Sequence, residues 1–325
     1  MIELLVSAAF TVAICPVVRK VLVHRGIIDH ANDRSSHVLP TPRGGGLACA
    51  VGVLAGWAAA LVTGLAPSWP VLAAIIVLAA LGLLDDHRDL PALVRLAAQI
   101  GVGAALAVAV GVGSDVLLGL LLGATLVSAS VNVVNFMDGI NGITGITMVV
   151  WGSSAALLGH LDEAPALLVL GSLTVGAAVG FLPFNLPAAR LFLGDVGSYL
   201  FGALVATTLL LGVMGGARLA TLLAPLALYL TDASVTLVRR ARRGAPLLQA
   251  HREHTYQQLT SVVGLSHPLV AVGVGVISSL VTLAWLIPAP WLSTGLTVAL
   301  LAAYLASPRW AGRALAIPAA RAAAP

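Results

Sequence analysis

The sequence predicts an all-α, polytopic integral membrane protein of about eleven spanning helices, with ten as the alternative count. Three observations predict it. Of 325 residues, 59% are hydrophobic and only 9% charged, whereas soluble globular domains carry about 25% charged residues. The mean hydropathy is +1.02, so lipid must solvate most of the surface. Apolar runs close to the ~20 residues of a bilayer-spanning helix recur along the whole chain, and basic residues fall in alternate loops between them.

Taken in order, the spans are expected near 2–18, 46–64, 69–84, 92–110, 116–133 and 143–159, then 164–182, 198–213, 219–238, 268–287 and 291–306. The last two are separated by Pro288 and Pro290 and could instead form one re-entrant hairpin. Glu3, the lack of a basic leader, and Arg19 and Lys20 after the first run argue for a spanning helix over a cleaved signal peptide. With the N-terminus outside, 16 of the 17 basic residues lie on the inner side, leaving only Arg218 outside. The charge of +4 thus reflects membrane orientation and not nucleic-acid binding. Cys15 and Cys49 lie in or beside apolar runs and read as small buried hydrophobes. The chain is read as one transmembrane domain with a loose tail from about 308 to 325.

The unusual polar residues gather in the inner loops. In the first, Gly44, Gly45 and Gly46 let backbone N–H groups approach an anion beside Arg34, His37 and Arg43; a flexible linker is the plainer alternative. The third span ends in Asp85, Asp86, His87, Arg88 and Asp89. Asp85 and Asp89 would share a face if the helix continued, with Asp86 about 100° away. A solvated helix end accounts for Asp89, but not for carboxylates abutting the apolar run, where insertion costs about 2.5–3.5 kcal/mol.

Asn135, Asp138 and Asn141 follow the fifth span among glycines at 139, 142 and 145. Non-helical backbone at that depth implies a cavity. Asp195 sits between Gly194 and Gly197 at a helix start, where free amides suit phosphate and a carboxylate can face a divalent cation. Capping is the ordinary alternative. Asp232 lies within the ninth span and is expected to pair with an arginine. Arginines at 239–243 suit anionic lipid headgroups, whereas His251, Arg252 and His254 suggest a small site. Oxygen ligands of this kind favour Mg²⁺, with Mn²⁺ as the alternative, over zinc.

The blocks PTPRGGG, DDHRDL, NFMDGINGITG, FLGDVGS and HREHTYQ, in this order along nearly the whole chain, resemble the polyprenyl-phosphate N-acetylhexosamine-1-phosphate transferases. The resemblance implies Mg²⁺-dependent transfer of a sugar 1-phosphate from a UDP-N-acetylhexosamine to polyprenyl (undecaprenyl) phosphate, releasing UMP at the cytoplasmic face of a bacterial plasma membrane. It implies catalytic roles for Asp85, Asp86, Asp138 and His254, and metal binding by Asp195 with Asp86. It implies substrate contacts from Arg34, His37, Arg43, Asn135, Asn141, Asn185, Phe192, His251 and Arg252, with Phe192 stacking on uracil.

Asn141 stands where many bacterial members carry a second aspartate, which restricts it to binding. HREH differs from the triple-histidine loop of the peptidoglycan branch, which transfers a phospho-MurNAc-pentapeptide. It is similar instead to the branch that starts O-antigen or other envelope polysaccharides. The resemblance leaves room for a homodimer. A secondary transporter is the rival of another class, but its acids should lie near midplane between repeated halves.

Overall fold

The structure, a computed structural model, describes residues 1–29, 39–112, 115–246 and 251–322, with side chains as far as 312. Arg34 and His37 lie outside the described residues.

The predicted spans form helices one for one. They are α1 (Ile2–His24), α2 (Gly46–Val62), α3 (Trp69–Arg88), α4 (Ala92–Val110), α5 (Val116–Met137) and α6 (Ile143–Leu161). α7 (Pro165–Asn185) and α8 (Gly194–Met214) follow. The ninth span is broken by Pro225 into α9 (Leu219–Leu223), a 3-10 turn (Ala224–Leu226) and α10 (Ala227–Arg242). A short α11 (Thr255–Ser261) precedes α12 (His267–Ala284) and α13 (Pro290–Ala322). Prolines in the first turns of α3, α7 and α12 start helices where an N–H would have no intrahelical partner.

Among the described residues, ten helical segments are long and apolar enough to cross a membrane. The exception in the predicted set is α2, whose 17 residues span about 26 Å. α12 and α13 are each long and apolar enough to cross a membrane. α13 also continues to Ala322, so helix replaces the expected loose tail over 308–322. Among the described residues, the strand content consists of two residue pairs, β1 (Ile28–Asp29) antiparallel to β2 (Thr41–Pro42), which pin the two ends of the first loop together.

α8 is the centre of the bundle. It is apolar all round, as a wholly surrounded helix should be, and 89% of its span window is buried. α3, α5, α2 and α7 pack directly on it. Outer helices turn Leu5, Leu93, Leu117 and Leu280 outward, where lipid replaces water as solvent. Cys15 and Cys49 are buried free thiols.

Small residues let backbones meet, as membrane helix packing requires. A Cβ at Gly46 would lie 2.2 Å from the Cα of Gly197, and one at Gly82 would lie 2.3 Å from the carbonyl oxygen of Asp195. These two glycines seat the N-terminus of α8 between α2 and α3. Gly46→Ala should therefore destabilise the protein by about 1–3 kcal/mol through overpacking. Gly273→Ala on α12, where a Cβ meets nothing within 4 Å, should be neutral or slightly stabilising. Thermal melts of both variants in detergent test the contrast, and equal shifts would contradict it.

Candidate active site

The loop that ends at β2 and the loop before α8 are knitted through the main chain. Phe192 N–H donates to the Pro42 carbonyl at 2.8 Å, and Gly44 and Gly45 N–H donate to the Phe192 carbonyl at 3.1 and 2.8 Å. Gly46 N–H reaches the Leu193 carbonyl at 2.8 Å. The triple glycine therefore does not hold its amides open for an anion. Its N–H groups are spent on the neighbouring loop, and its missing side chains make room for that contact.

The amides at the start of α8 are also taken. Asp86, at the end of α3, accepts from the N–H of Asp195 at 2.9 Å and from that of Val196 at 3.0 Å. A carboxylate on an otherwise unpaired helix N-terminus satisfies both the donors and the dipole. Asp86, and not a substrate phosphate, fills that position. Arg43 bridges the two acids, with Nε 2.9 Å from Asp86 Oδ1 and Nη2 2.8 Å from Asp195 Oδ1. Asn135 Nδ2 donates to the same Asp195 oxygen and to Ser198 Oγ, each at 2.9 Å. The Asp86 side chain is 2% exposed and that of Asp195 17%, so Asp195 is the acid that opens to the cleft.

Asp85 faces elsewhere. Its Oδ2 meets Arg95 Nη1 at 2.6 Å and accepts the Tyr199 hydroxyl at 3.1 Å, while Oδ1 accepts the Leu90 N–H at 3.0 Å. Both oxygens are engaged, which holds the α3–α4 turn against α8 and leaves little freedom to act as a mobile base. The helix stops at Arg88, with Asp89 exposed in the left-handed region at φ 46, so Asp85 and Asp89 do not share a helical face. Arg95 and Tyr199 were missed in the sequence. The only trace of Tyr199 is its position four residues beyond Asp195, and Arg95 stands in no motif.

Asp138 caps the end of α5 beside this group. Burial pushes its carboxyl up to about 7; the Thr144 hydroxyl and Arg43 oppose the rise, and Asp195 and Asp86 add to it. Among the described residues, no group of three acidic, histidine or cysteine side chains forms a ready-made cation site. Asp86 is engaged by protein donors, and Asp138 lies close enough to Asp195 for the two charges to interact.

Asn185 is also turned to the scaffold. Its Oδ1 accepts Gly142 N–H at 2.5 Å and its Nδ2 donates to the Leu191 carbonyl at 3.0 Å, tying the α5–α6 turn to the loop before α8. Asn141 sits at the same turn, its N–H directed at His267 Nδ1 at 3.4 Å. Phe192 remains half-buried beside Arg43.

The 251–257 segment packs onto the α5–α6 turn. The Tyr256 hydroxyl donates to the Phe136 carbonyl at 3.0 Å, two residues before Asp138. His254 stacks on Tyr256 with ring centroids 5.7 Å apart, and His251 lies 5.0 Å from His254. Arg240 and Arg243 pair with Glu253, so part of the arginine cluster anchors this loop and does not face lipid. A cavity of about 620 Å³ beside it is lined by Arg239, Arg242 and Arg252 among others. Asp232 pairs with His254 and Tyr304 and not with the expected arginine.

Comparison with known proteins decides the class. A family profile described as glycosyl transferase family 4 matches residues 68–213. A decaprenyl-phosphate N-acetylglucosaminephosphotransferase from Mycolicibacterium smegmatis is 32% identical over 297 residues, covering 77% of this chain and 72% of the relative.

The chain belongs to the polyprenyl-phosphate hexosamine-1-phosphate transferases.

A probable undecaprenyl-phosphate N-acetylglucosaminyl 1-phosphate transferase from Bacillus subtilis is 26% identical over 282 residues, covering 82% of this chain and 78% of the relative. A phospho-N-acetylmuramoyl-pentapeptide-transferase from Staphylococcus haemolyticus is similar over 106 residues, 33% of this chain and 32% of the relative, at 31% identity. This transferase therefore resembles the N-acetylglucosamine relatives over most of its length and the peptidoglycan branch over a third.

Burial pushes the His251 imidazole down to about 4, with His254 and Arg240 adding to the effect. The unfolded value is near 6.5, so between the two values only the unfolded chain carries the extra proton. The corresponding stability is complete above about pH 6.5 and is lost as pH falls toward about 4. His251→Gln should thus lose less melting temperature than the unaltered protein between about pH 7 and pH 5. Equal losses would contradict the assignment.

Proposed function

We propose that this transferase moves N-acetylglucosamine 1-phosphate from UDP-N-acetylglucosamine to undecaprenyl phosphate and releases UMP. The reaction is placed at the cytoplasmic face of a bacterial plasma membrane, as the first step toward an envelope polysaccharide such as O-antigen. The knot of Arg43, Asp86 and Asp195 carries the reading, because it draws three distant motifs into one charged cleft. The names of the Bacillus and Mycolicibacterium relatives support the sugar, and the distribution of arginines supports the sidedness.

The residues fit a Mg²⁺ ion. Arg43 and Asn135 both meet Oδ1 of Asp195, which leaves Oδ2 for another partner. Mg²⁺ is commonly held by one or two carboxylates, with substrate phosphates and water completing its shell. Asp195 would hold it, with Asp138 within reach of the same charge, and when bound it would offset the negative charge of the diphosphate. Arg43 supplies a second positive charge there, in the form suited to planar phosphate recognition.

The lipid phosphate oxygen attacks the sugar-bearing phosphorus, and the bond to the UMP oxygen breaks as the new P–O bond forms. Asp138, partly protonated near neutral pH and without an ion-pair partner among the described residues, is the acid–base candidate. Asp85 holds the α3–α4 turn in place. The phospho-MurNAc-pentapeptide reading has only the shorter match in its favour. The transporter reading requires acids near midplane, whereas these lie at helix ends.

Purified protein in lipid nanodiscs should release UMP from UDP-N-acetylglucosamine only when undecaprenyl phosphate and Mg²⁺ are both present. Asp195→Asn should lower turnover by about 100-fold or more. No UMP release in the complete mixture, across a panel of UDP-N-acetylhexosamines, would reject the proposal. Release with another sugar alone would reassign the donor.

A further inference from the structure

Asp232 lies in the middle of α10 with 0% exposure, and the chemistry above makes no use of it. An ionisable group in such a place is costly unless partnered, and three elements supply its partners. Oδ1 accepts the Thr255 N–H at the start of α11 at 3.0 Å and the Thr236 hydroxyl, from its own helix, at 3.2 Å. Oδ2 accepts the Tyr304 hydroxyl of α13 at 2.7 Å. His254 Nδ1 stands 3.5 Å from Oδ1. Among the described residues, the basic side chain that faces this carboxylate is that imidazole and not an arginine or lysine.

His254 is itself 2% exposed and stacks on Tyr256, whose hydroxyl reaches the Phe136 carbonyl two residues before Asp138. A buried carboxylate facing one ring nitrogen selects the tautomer and fixes the plane of the ring. We infer that Asp232 is a positioning residue for His254. It draws the proton to Nδ1 and leaves Nε2 as an acceptor for a hydroxyl of the donor. Tyr304, gripping the opposite oxygen, ties the last long helix to the same device. This inference rests on the placement of His254 in the donor site.

The test uses the full chain in nanodiscs. Asp232→Asn keeps one oxygen acceptor, for Thr255, and an amide nitrogen beside the Tyr304 hydroxyl, but removes the charge that faces His254. Its kcat should fall roughly tenfold or more, with KM for the lipid acceptor nearly unchanged. The Asp232→Asn/His254→Gln double variant should be no slower than His254→Gln alone, because two residues acting as a unit are not additive. A purely structural role would instead multiply the two losses, and that result, or normal kcat in Asp232→Asn, overturns the inference.

If Asp232→Asn does not fold, Tyr304→Phe enters the same cycle with the same expectation. Nitrogen-15 spectra of labelled histidines read the tautomer without any turnover. Protonated Nδ1 at His254 supports the inference, and protonated Nε2 overturns it. These spectra keep the inference separate from the proposed reaction, whose own failure would appear as missing UMP in the unaltered protein.

Discussion

The site depends on one interaction, the Asp86 carboxylate seated on the first amides of α8. A helix start buried in a bundle must satisfy its orphan N–H groups, and here a side chain from α3 does so. That bond fixes where α8 begins and hence where Asp195 faces. It also brings two carboxylates together, which would repel each other without the Arg43 guanidinium between them. Arg43 comes from a loop that the triple glycine allows to lie flat against the α8 entry. Remove Arg43 and both carboxylates are left uncompensated in a mostly buried position, whereas removing Asp86 strips the first amides of α8 of their acceptor.

The arrangement separates two neighbouring acids by function. Asp85 and Asp86 are adjacent in sequence, yet the helix sends them in different directions. Asp86 faces the α8 terminus, whereas Asp85 faces Arg95 and Tyr199. Asp86 thereby sets the start of the helix that carries Asp195, and Asp85 holds the α3–α4 turn against that helix. The histidine loop follows a similar logic, with a fully buried Asp232 behind His254. In both places a deep acid with protein partners holds a neighbouring side chain or loop in position.

Much of the fold was legible because the bilayer imposes a length and a sign rule on the chain. Every predicted span corresponds to a helix, and the motifs converge around the α8 entry. What the sequence hid were contacts that depend on direction. Nothing in the spacing of DDHRDL reveals that its helix ends at Arg88, or that Asp86 consumes the amides expected to serve phosphate. Asn185 reads as a ligand by motif, yet its side chain is engaged by backbone. Arg95 and Tyr199 carry no local signal, because their importance comes from helices packed across the bundle.

A cryo-EM structure of the full chain in nanodiscs, with Mg²⁺ and UDP-N-acetylglucosamine, tests the central claim most directly. The account predicts Asp86 still on the amides of Asp195 and Val196, with ion density about 2.0–2.1 Å from the free Asp195 oxygen and the diphosphate beside it. An ion and nucleotide bound elsewhere, or Asp86 released and Asp195 turned out of the cleft, would contradict it.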